Sequence, residues 1–166
     1  MIENSIFVVE ALAKKLEVEF NEIDILQQAV THRSYLNEHR DYKLEHNERL
    51  EFLGDAVLEL IVTEFLYENY DNPEGDLTNW RAALVNGEML SRIAKEFGIE
   101  EFLLMSRGES KDTGKARQYL LANAFEAIIG AIYLDQKEHG YTVVKEFIMK
   151  HVISALPEII EKKLYM

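Results

Sequence analysis

The sequence predicts an all-α protein of one domain. Apolar residues return at spacings of three and four along most of the chain, which is the pattern of one face of an α-helix. No convincing stretch of alternating apolar and polar residues, the pattern of a half-buried strand, accompanies them. Only two prolines and eight glycines occur, and no linker or repeat divides the chain. We therefore expect packed helices in a single domain covering residues 1–166.

Composition bounds the class of protein. A hydrophobic content of 48% in 166 residues is enough for one real core. The absence of cysteine excludes disulfides, thiolate zinc sites and a catalytic thiol. The first twenty residues lack the pattern of a signal peptide, and no run approaches the roughly 18 apolar residues of a membrane span. We expect a soluble, cytoplasmic protein with no membrane partner.

Two amphipathic helices are predicted near the N-terminus. Asn21 precedes the second of them and is its predicted N-cap. The apolar markers of the two helices are Phe7, Val8, Leu12 and Leu16, and then Ile23, Leu26, Gln27 and Val30.

The longest helical pattern covers residues 46–70 and predicts a central, largely buried helix. Its apolar side is formed by Leu50, Leu53, Val57, Leu60, Ile61, Phe65 and Leu66. Pro73 and Gly75 are the predicted breakers after it.

The second half of the chain predicts further helices and one long loop. The polar segment 106–117 contains two glycines and four basic residues, which favours a loop. Gly130 interrupts a very apolar helix and indicates that another helix packs closely there. The predicted helices cover residues 76–86, 88–97 with Gly98 closing it, 119–136, 142–156, and 158–164 after Pro157.

Clustered carboxylates are the main candidate for chemistry. The net charge of −12 disfavours a simple phosphate-binding surface, but a metal ion held by acids can still face a phosphate. Glu48, Glu51, Asp55 and Glu59 share one helix face. That spacing alone is also what a solvated helix face shows.

Three observations favour a metal site over a solvated face. Asp55 lies in a nearly unbroken apolar run, and a buried charge needs a partner. Gly54 lowers helix stability by about 1 kcal/mol relative to Ala, which indicates close approach of another backbone. Glu126 is the only acid in the otherwise apolar stretch from Leu120 to Leu134, one turn after Asn123. Carboxylates on two such helices can form an octahedral oxygen site for Mg²⁺, with Mn²⁺ as substitute.

Several motifs then resemble those of the ribonuclease III family. The most specific is the run from Asn47 to Leu58, which resembles the signature of that family. Three further matches are Thr31-His32-Arg33-Ser34-Tyr35, Glu74-Gly75-Asp76-Leu77 with Arg81-Ala82-Ala83-Leu84-Val85, and the run from Leu121 to Ala131. No chemistry is assigned to His32 or Arg33.

The resemblance implies the fold of the ribonuclease III endonuclease domain and a set of functional residues. Glu51, Asp55 and Glu126 match three of the four acidic positions of the family, and Asn123 stands at the fourth, where Asp is usual. Glu51, Asn123 and Glu126 are then the expected metal ligands, and Asp55 and Glu126 the expected catalytic residues. An amide oxygen can still bind a hard cation, but one negative charge is lost.

The resemblance also implies a partner and a substrate. The expected reaction is metal-dependent hydrolysis of double-stranded RNA by a homodimer that leaves short 3′ overhangs, in processing or decay of rRNA and mRNA, without a nucleotide cofactor. Phe52 points off the apolar stripe and is the expected dimer contact. Lys111, Lys115 and Arg117 are possible RNA contacts, although a solvated loop explains them equally well.

One alternative remains open at this point, and a second is discounted. A catalytically silent relative would bind RNA or act as a ribonucleoprotein scaffold, and Asn123 favours it. A redox metalloprotein built as a helical bundle would need Glu-x-x-His pairs, which the relevant glutamates lack. The chain ends about where a linker to a C-terminal double-stranded RNA-binding domain would begin, so that domain is expected to be absent here.

Overall fold

A computed structural model describes residues 2–162, with side chains described from Val8 onward. The helices in this range are α1 (Ile2–Leu16), α2 (Ile23–Ala29), α3 (Arg33–Glu38), α4 (Glu48–Asn69), α5 (Glu74–Val85), α6 (Gly87–Glu96), α7 (Arg107–Lys111), α8 (Lys115–Asp135), α9 (Gly140–His151) and α10 (Leu156–Lys162). Short 3₁₀ turns lie at Ile99–Phe102, Lys137–His139 and Ile153–Ala155. The only β pairing in that range is one isolated parallel bridge between Thr31 and Leu104. The all-α prediction is confirmed.

Helices α4 and α8 form the centre of the molecule. Most of α8 is buried on all sides, including Phe125, Ile128 and Ile132, because its sequence has almost no polar positions between Leu120 and Leu134. Helices α2, α6 and α9 pack against it. Helix α4 buries one side, with Leu58 and Ile61 fully enclosed, and its other side faces solvent.

Two glycines bring α4 and α8 into backbone contact. A Cβ added at Gly54 would overlap the carbonyl oxygen of Glu126 and lie 2.9 Å from the backbone nitrogen of Gly130. A Cβ added at Gly130 would overlap the carbonyl oxygen of Leu50. Both close approaches that the sequence indicated are present.

Some predicted core positions are wrong. Leu60 is 57% exposed and Val8 is 47% exposed. Val9 is buried instead of Val8, with Leu12 and Leu16, because the face of α1 that meets the core is centred one residue later. The side chain of Phe7 lies outside the described residues.

The start of α2 is held from outside the helix rather than by Asn21. The Asp135 carboxylate accepts the backbone N–H groups of Asn21 and Glu22, each at 2.8 Å. The predicted N-cap is therefore replaced by a side chain more than a hundred residues away. Sequence spacing around residue 21 contains no sign of this partner.

The predicted loop 106–117 is wrong in part. Its middle forms the short helix α7, and α8 already begins at Lys115. Helix α5 begins at Glu74, so Gly75 lies inside it. At the C-terminal end, α10 begins at Leu156 with Pro157 in its first turn, where proline is tolerated. Residues 163 and 164 of the predicted last helix lie outside the described range.

Between residues 2 and 162, no helix has both the length and the apolar character needed to cross a membrane.

Candidate active site

The carboxylates of Asp55 and Glu126 meet where α4 and α8 touch. Gly54 lies against the backbone of Glu126, so the next residue of α4 is brought to the side chain of Glu126. The two carboxyl groups share a hydrogen bond, and the charge of Glu51 acts on the same group. The structure thus brings together three acidic residues from two helices.

Burial of Glu126 raises its pKa to about 9, with smaller contributions from the hydrogen bond to Asp55 and from the charges of Asp55 and Glu51. At neutral pH its carboxyl group is therefore protonated when no cation is bound, and it donates its hydrogen bond to Asp55. Without a cation, the carboxyl groups of this site cannot all be ionised at neutral pH.

Glu51 shows the same effect more weakly. Partial burial raises its pKa, and the charges of Asp55 and Glu48 act in the same direction. Within the described residues, none of the ion pairs includes Glu51, Asp55 or Glu126. No lysine or arginine of this part of the chain compensates the three acids.

The donor set suits a hard divalent cation. Carboxylate oxygens and an amide oxygen are ligands that Mg²⁺ prefers, and uncompensated acids are stabilised by a cation. Asn123 lies one turn before Glu126 on α8 and is partly buried. Among the side chains that the structure describes, no three His, Cys, Asp or Glu groups already stand in a metal-binding arrangement. The residues fit in chemistry, and metal binding would require their side chains to adjust.

Glu48 and Glu59 belong to the rim of the site. Glu48 is exposed and lies 3.6 Å from Arg33. Glu59 is exposed and lies 3.8 Å from Arg81, whose guanidinium also donates to Thr63 Oγ1 at 3.0 Å. Arginine neighbours make these two acids weaker candidates for a cation than Glu51 and Asp55.

Phe52 lies next to this site and is 82% exposed. Helical spacing places Ala56, Leu60 and Tyr67 on the same face of α4. Leu60 and Tyr67 are also exposed, the latter at 80%. These side chains form an exposed apolar stripe on an otherwise acidic protein.

The three basic residues named as possible RNA contacts have different surroundings. Lys111 and Lys115 are exposed. Arg117 is buried, and its guanidinium binds Glu100 at 2.6 Å and the carbonyl oxygens of Ser110 and Glu109 at 3.0 and 3.4 Å. This burial contradicts the expected RNA contact of Arg117, because a phosphate cannot reach its donors.

Sequence reasoning missed a role for Ser34. Its hydroxyl accepts the backbone N–H of Ser106 at 2.9 Å and lies 2.7 Å from Nδ1 of His32. The motif at residues 31–35 stands out in the sequence, but nothing in it indicates a contact with Ser106, about seventy residues later.

Comparison with known proteins decides the family. Residues 22–156 match the family described as Ribonuclease-III-like. The chain belongs to this family. Ribonuclease 3 of Enterococcus faecalis is 50% identical over 127 residues, which cover 76% of this chain and 55% of that protein. Ribonuclease 3 of Oceanobacillus iheyensis is 46% identical over 149 residues, covering 89% and 64%. The chain thus spans about three fifths of the length of these relatives.

Solved structures agree with the ribonuclease III assignment. The nuclease domain of ribonuclease III from Campylobacter jejuni is 39% identical, with a TM-score of 0.78, and the match covers 90% of this chain and 99% of that one. That structure is described as flexible in a region involved in dimer formation. Dicer from Giardia intestinalis, at 24% identity and a TM-score of 0.68, shows the shared fold. The fold is that of the ribonuclease III nuclease domain.

Proposed function

We propose that residues 1–166 form a single endonuclease domain of ribonuclease III type that hydrolyses phosphodiester bonds in double-stranded RNA. The observation that carries this proposal is the meeting of Glu51, Asp55 and Glu126 on two helices in backbone contact. Three acids without a cationic neighbour destabilise the fold unless they serve a ligand. The family match gives the class of reaction, and the relatives named ribonuclease 3 support it.

Divalent metal is the cofactor in this proposal. Glu51, Asn123 and Glu126 would hold Mg²⁺, or Mn²⁺ in its place. When bound, the ion supplies an activated water and positive charge at the scissile phosphate.

The protein residues themselves supply position and proton control. Without a cation, Asp55 accepts a hydrogen bond from the protonated carboxyl group of Glu126. When a cation displaces that proton, Asp55 would be free to orient water on the side of α4. The backbone contact at Gly54 fixes the spacing of the two carboxyl groups. Since both helices belong to the core, the backbone that carries these side chains is fixed before substrate arrives.

A homodimer is the second part of the proposal. Phe52 is among the most exposed apolar side chains described, and it adjoins the metal-binding face. Two copies joined through this stripe would place two sites near one duplex, one for each strand, and cleavage would leave short 3′ overhangs.

RNA contact outside the site is assigned to Lys111 and Lys115. Both are exposed near the start of α8, the helix that carries Asn123 and Glu126. Recognition of an A-form duplex through its backbone needs shape and a few cations rather than base contacts. With a net charge of −12, we expect weak RNA binding that depends on divalent ions. We place the reaction in the cytoplasm, in processing or decay of rRNA and mRNA.

Cleavage of a long perfect RNA duplex tests the proposal. The parent chain is compared with Glu126→Gln in Mg²⁺, Mn²⁺ or EDTA, with exposed Glu10→Gln as the matched loss of one charge. We expect metal-dependent product and a loss of about 100-fold or more in kcat for Glu126→Gln alone. A parent chain that never cuts contradicts the proposal.

The Asn123→Asp variant tests whether the chain is an active enzyme or a catalytically silent relative. Restoring the fourth carboxylate should strengthen Mg²⁺ binding by about tenfold, measured as the Mg²⁺ concentration at half-maximal cleavage. If neither the parent nor Asn123→Asp cuts while both bind duplex RNA, the chain is a silent relative that acts as an RNA-binding scaffold.

Sedimentation velocity tests the dimer. Phe52→Ala should shift the parent dimer toward monomer. Tyr119→Ala removes an exposed aromatic ring from a different helix, α8, and should leave the dimer unchanged. An identical sedimentation profile for parent and Phe52→Ala refutes the role of Phe52.

A further inference from the structure

Helix α7 is attached to the protein without a hydrophobic contact of its own. None of its five residues is buried, and a helix of this length is not stable alone. Its N-cap is Ser106, whose hydroxyl accepts the N–H of Glu109 at 3.1 Å. Its place on the surface must therefore be set by polar contacts with neighbouring elements.

One set of contacts comes from α3 and the residue before it. The backbone N–H of Ser106 donates to Ser34 Oγ at 2.9 Å, and that of Arg107 donates to both carboxylate oxygens of Glu38 at 3.1 Å. Nδ1 of His32 accepts the backbone N–H of Ser34 at 3.2 Å. Because that nitrogen is therefore an acceptor, the hydroxyl of Ser34 donates its own proton to it at 2.7 Å. His32 thereby fixes the orientation of the hydroxyl that holds the chain.

The second set comes from the first turns of α8. Arg117 Nη2 donates to the carbonyl oxygens of Ser110 and Glu109, and Nη1 pairs with Glu100. The side chain of Arg117 is only 8% exposed. A buried guanidinium is unfavourable unless its donors have partners; here Nη1 and Nη2 have them, whereas the buried Nε has none among the described residues. Two of its partners are backbone atoms, so the contact fixes the path of the chain rather than a particular side chain.

The position of the α7 backbone matters because α7 carries exposed basic residues. Arg107 and Lys111 are exposed on α7, in a protein with 30 acidic and 18 basic residues. A mobile cation on such a protein attracts a polyanion poorly because nearby acids compensate it. A basic side chain whose backbone is held at a fixed position can contact one particular phosphate of a bound polyanion.

We infer that His32, Ser34 and Arg117 are positioning residues that hold α7 from two sides so that Lys111 meets the phosphate backbone of the RNA. This inference rests on the proposed function. Arg117 lies six residues before Asn123, about 9 Å along the helix axis. The same helix thus carries the support of the RNA contact and part of the metal site.

Steady-state cleavage of duplex RNA, combined with a double-mutant cycle, tests this. The variants are Lys111→Ala, Ser34→Ala, Arg117→Met and the two doubles with Lys111→Ala, with exposed Lys95→Ala as the matched loss of a positive charge. We expect each single variant to raise KM about fivefold at unchanged kcat. Lys95→Ala should retain the KM of the parent.

The double variants distinguish positioning from general structural damage. Once Lys111 is absent, the loss of Ser34 or Arg117 should raise KM by less than about twofold further, because contacts that act through one residue are not additive. Arg117→Lys should recover only part of the parent KM, because one ammonium nitrogen cannot occupy the places of both Nη1, which binds Glu100, and Nη2, which binds the two carbonyl oxygens. If Arg117→Met fails to fold, Ser34→Ala decides, since it removes one hydroxyl at the surface.

Three results would overturn the inference. They are an unchanged KM in the single variants, KM effects that add in the doubles, and a fall in kcat at constant KM, which indicates loss of folded protein. A parent that cleaves RNA while its variants behave in these ways keeps the proposed function. A parent that neither binds nor cleaves duplex RNA overturns both.

Discussion

The contact between α4 and α8 and the attachment of α7 are opposite ways to hold a functional group. In the first, two glycines let backbone meet backbone, and the acids project from helices buried in the core. In the second, an exposed helix is held by hydrogen bonds that Ser34 and Glu38 accept and Arg117 donates.

The comparison shows which functional groups are held firmly in place and which can move. The backbones of the two core helices can move apart only when the core itself opens, which costs the full free energy of unfolding. Groups held by a few polar contacts near solvent open locally at a much smaller free energy. The metal site has the first kind of support, and the proposed RNA contact has the second.

The largest expected effect comes from Gly54→Ala. The added methyl group would overlap the backbone of Glu126, which cannot move aside as a flexible side chain would. We expect the free energy of unfolding to fall by about 3 kcal/mol, measured by urea denaturation.

Gly75→Ala is the matched control for this prediction. No atom lies within 4 Å of a Cβ added at Gly75, which is also helical. There the same substitution should stabilise the protein by about 0.5 to 1 kcal/mol. If both variants shift stability by the same amount, the backbone contact between α4 and α8 is not what holds the centre together.

A smaller effect is expected from Asp135→Asn, which tests a polar joint inside the core. The buried carboxylate accepts two backbone N–H groups at the start of α2, and an amide would direct hydrogen atoms toward one of them. We expect a loss of about 2 kcal/mol. Asp24→Asn removes the same charge from the exposed surface of α2 and should change stability little. Equal losses in the two variants would show that the charge matters and the hydrogen bonds do not.

The smallest effect is expected from Tyr141→Phe, at a polar joint near solvent. Its hydroxyl donates to Glu64, which also pairs with Lys145 at 3.3 Å. This hydrogen bond raises the pKa of Tyr141 to about 12 and lowers that of Glu64. The melting temperature should fall by less than about 2 °C.

The pH dependence of this difference identifies its cause. The raised pKa of Tyr141 gives stability that is present below pH 10 and is lost as pH rises toward 12. The lowered pKa of Glu64 gives stability that is present above pH 4.5 and is lost as pH falls. Parent and Tyr141→Phe should therefore differ most between these limits, whereas Tyr67→Phe, at an exposed ring, should show no such profile. A difference that is constant at all pH values would assign it to packing.

Much of the centre was predictable from the sequence because its causes are local. Helical periodicity gave α4 and α8 to within a few residues, and Gly54 and Gly130 indicated close packing since glycine is costly inside a helix. Glu126 stood out as an acid in an apolar run and is partly buried, whereas Asp55, singled out on the same ground, is exposed. Each of these signals is contained in a dozen neighbouring residues.

The peripheral joints were not predictable in this way. Asp135 holds α2 across more than a hundred residues, and Arg117 is buried because Glu100 and two carbonyls lie beside it. A polar segment with glycines favours a loop by composition, yet α7 forms because distant groups satisfy its ends. Leu60 was misplaced because helical spacing does not distinguish the core from a second apolar face.

The backbone contact at Gly54 and Gly130 also determines which substitutions this protein can accept without moving its acidic residues. Because backbone atoms set the distance between α4 and α8 at Gly54 and Gly130, side-chain volumes elsewhere in the core do not enter that distance. Exchanges such as Ile128→Val weaken the fold by about 1 kcal/mol and leave the acids where they are. A lineage can therefore replace much of its interior while the geometry of its acids stays unchanged, provided that both glycines remain.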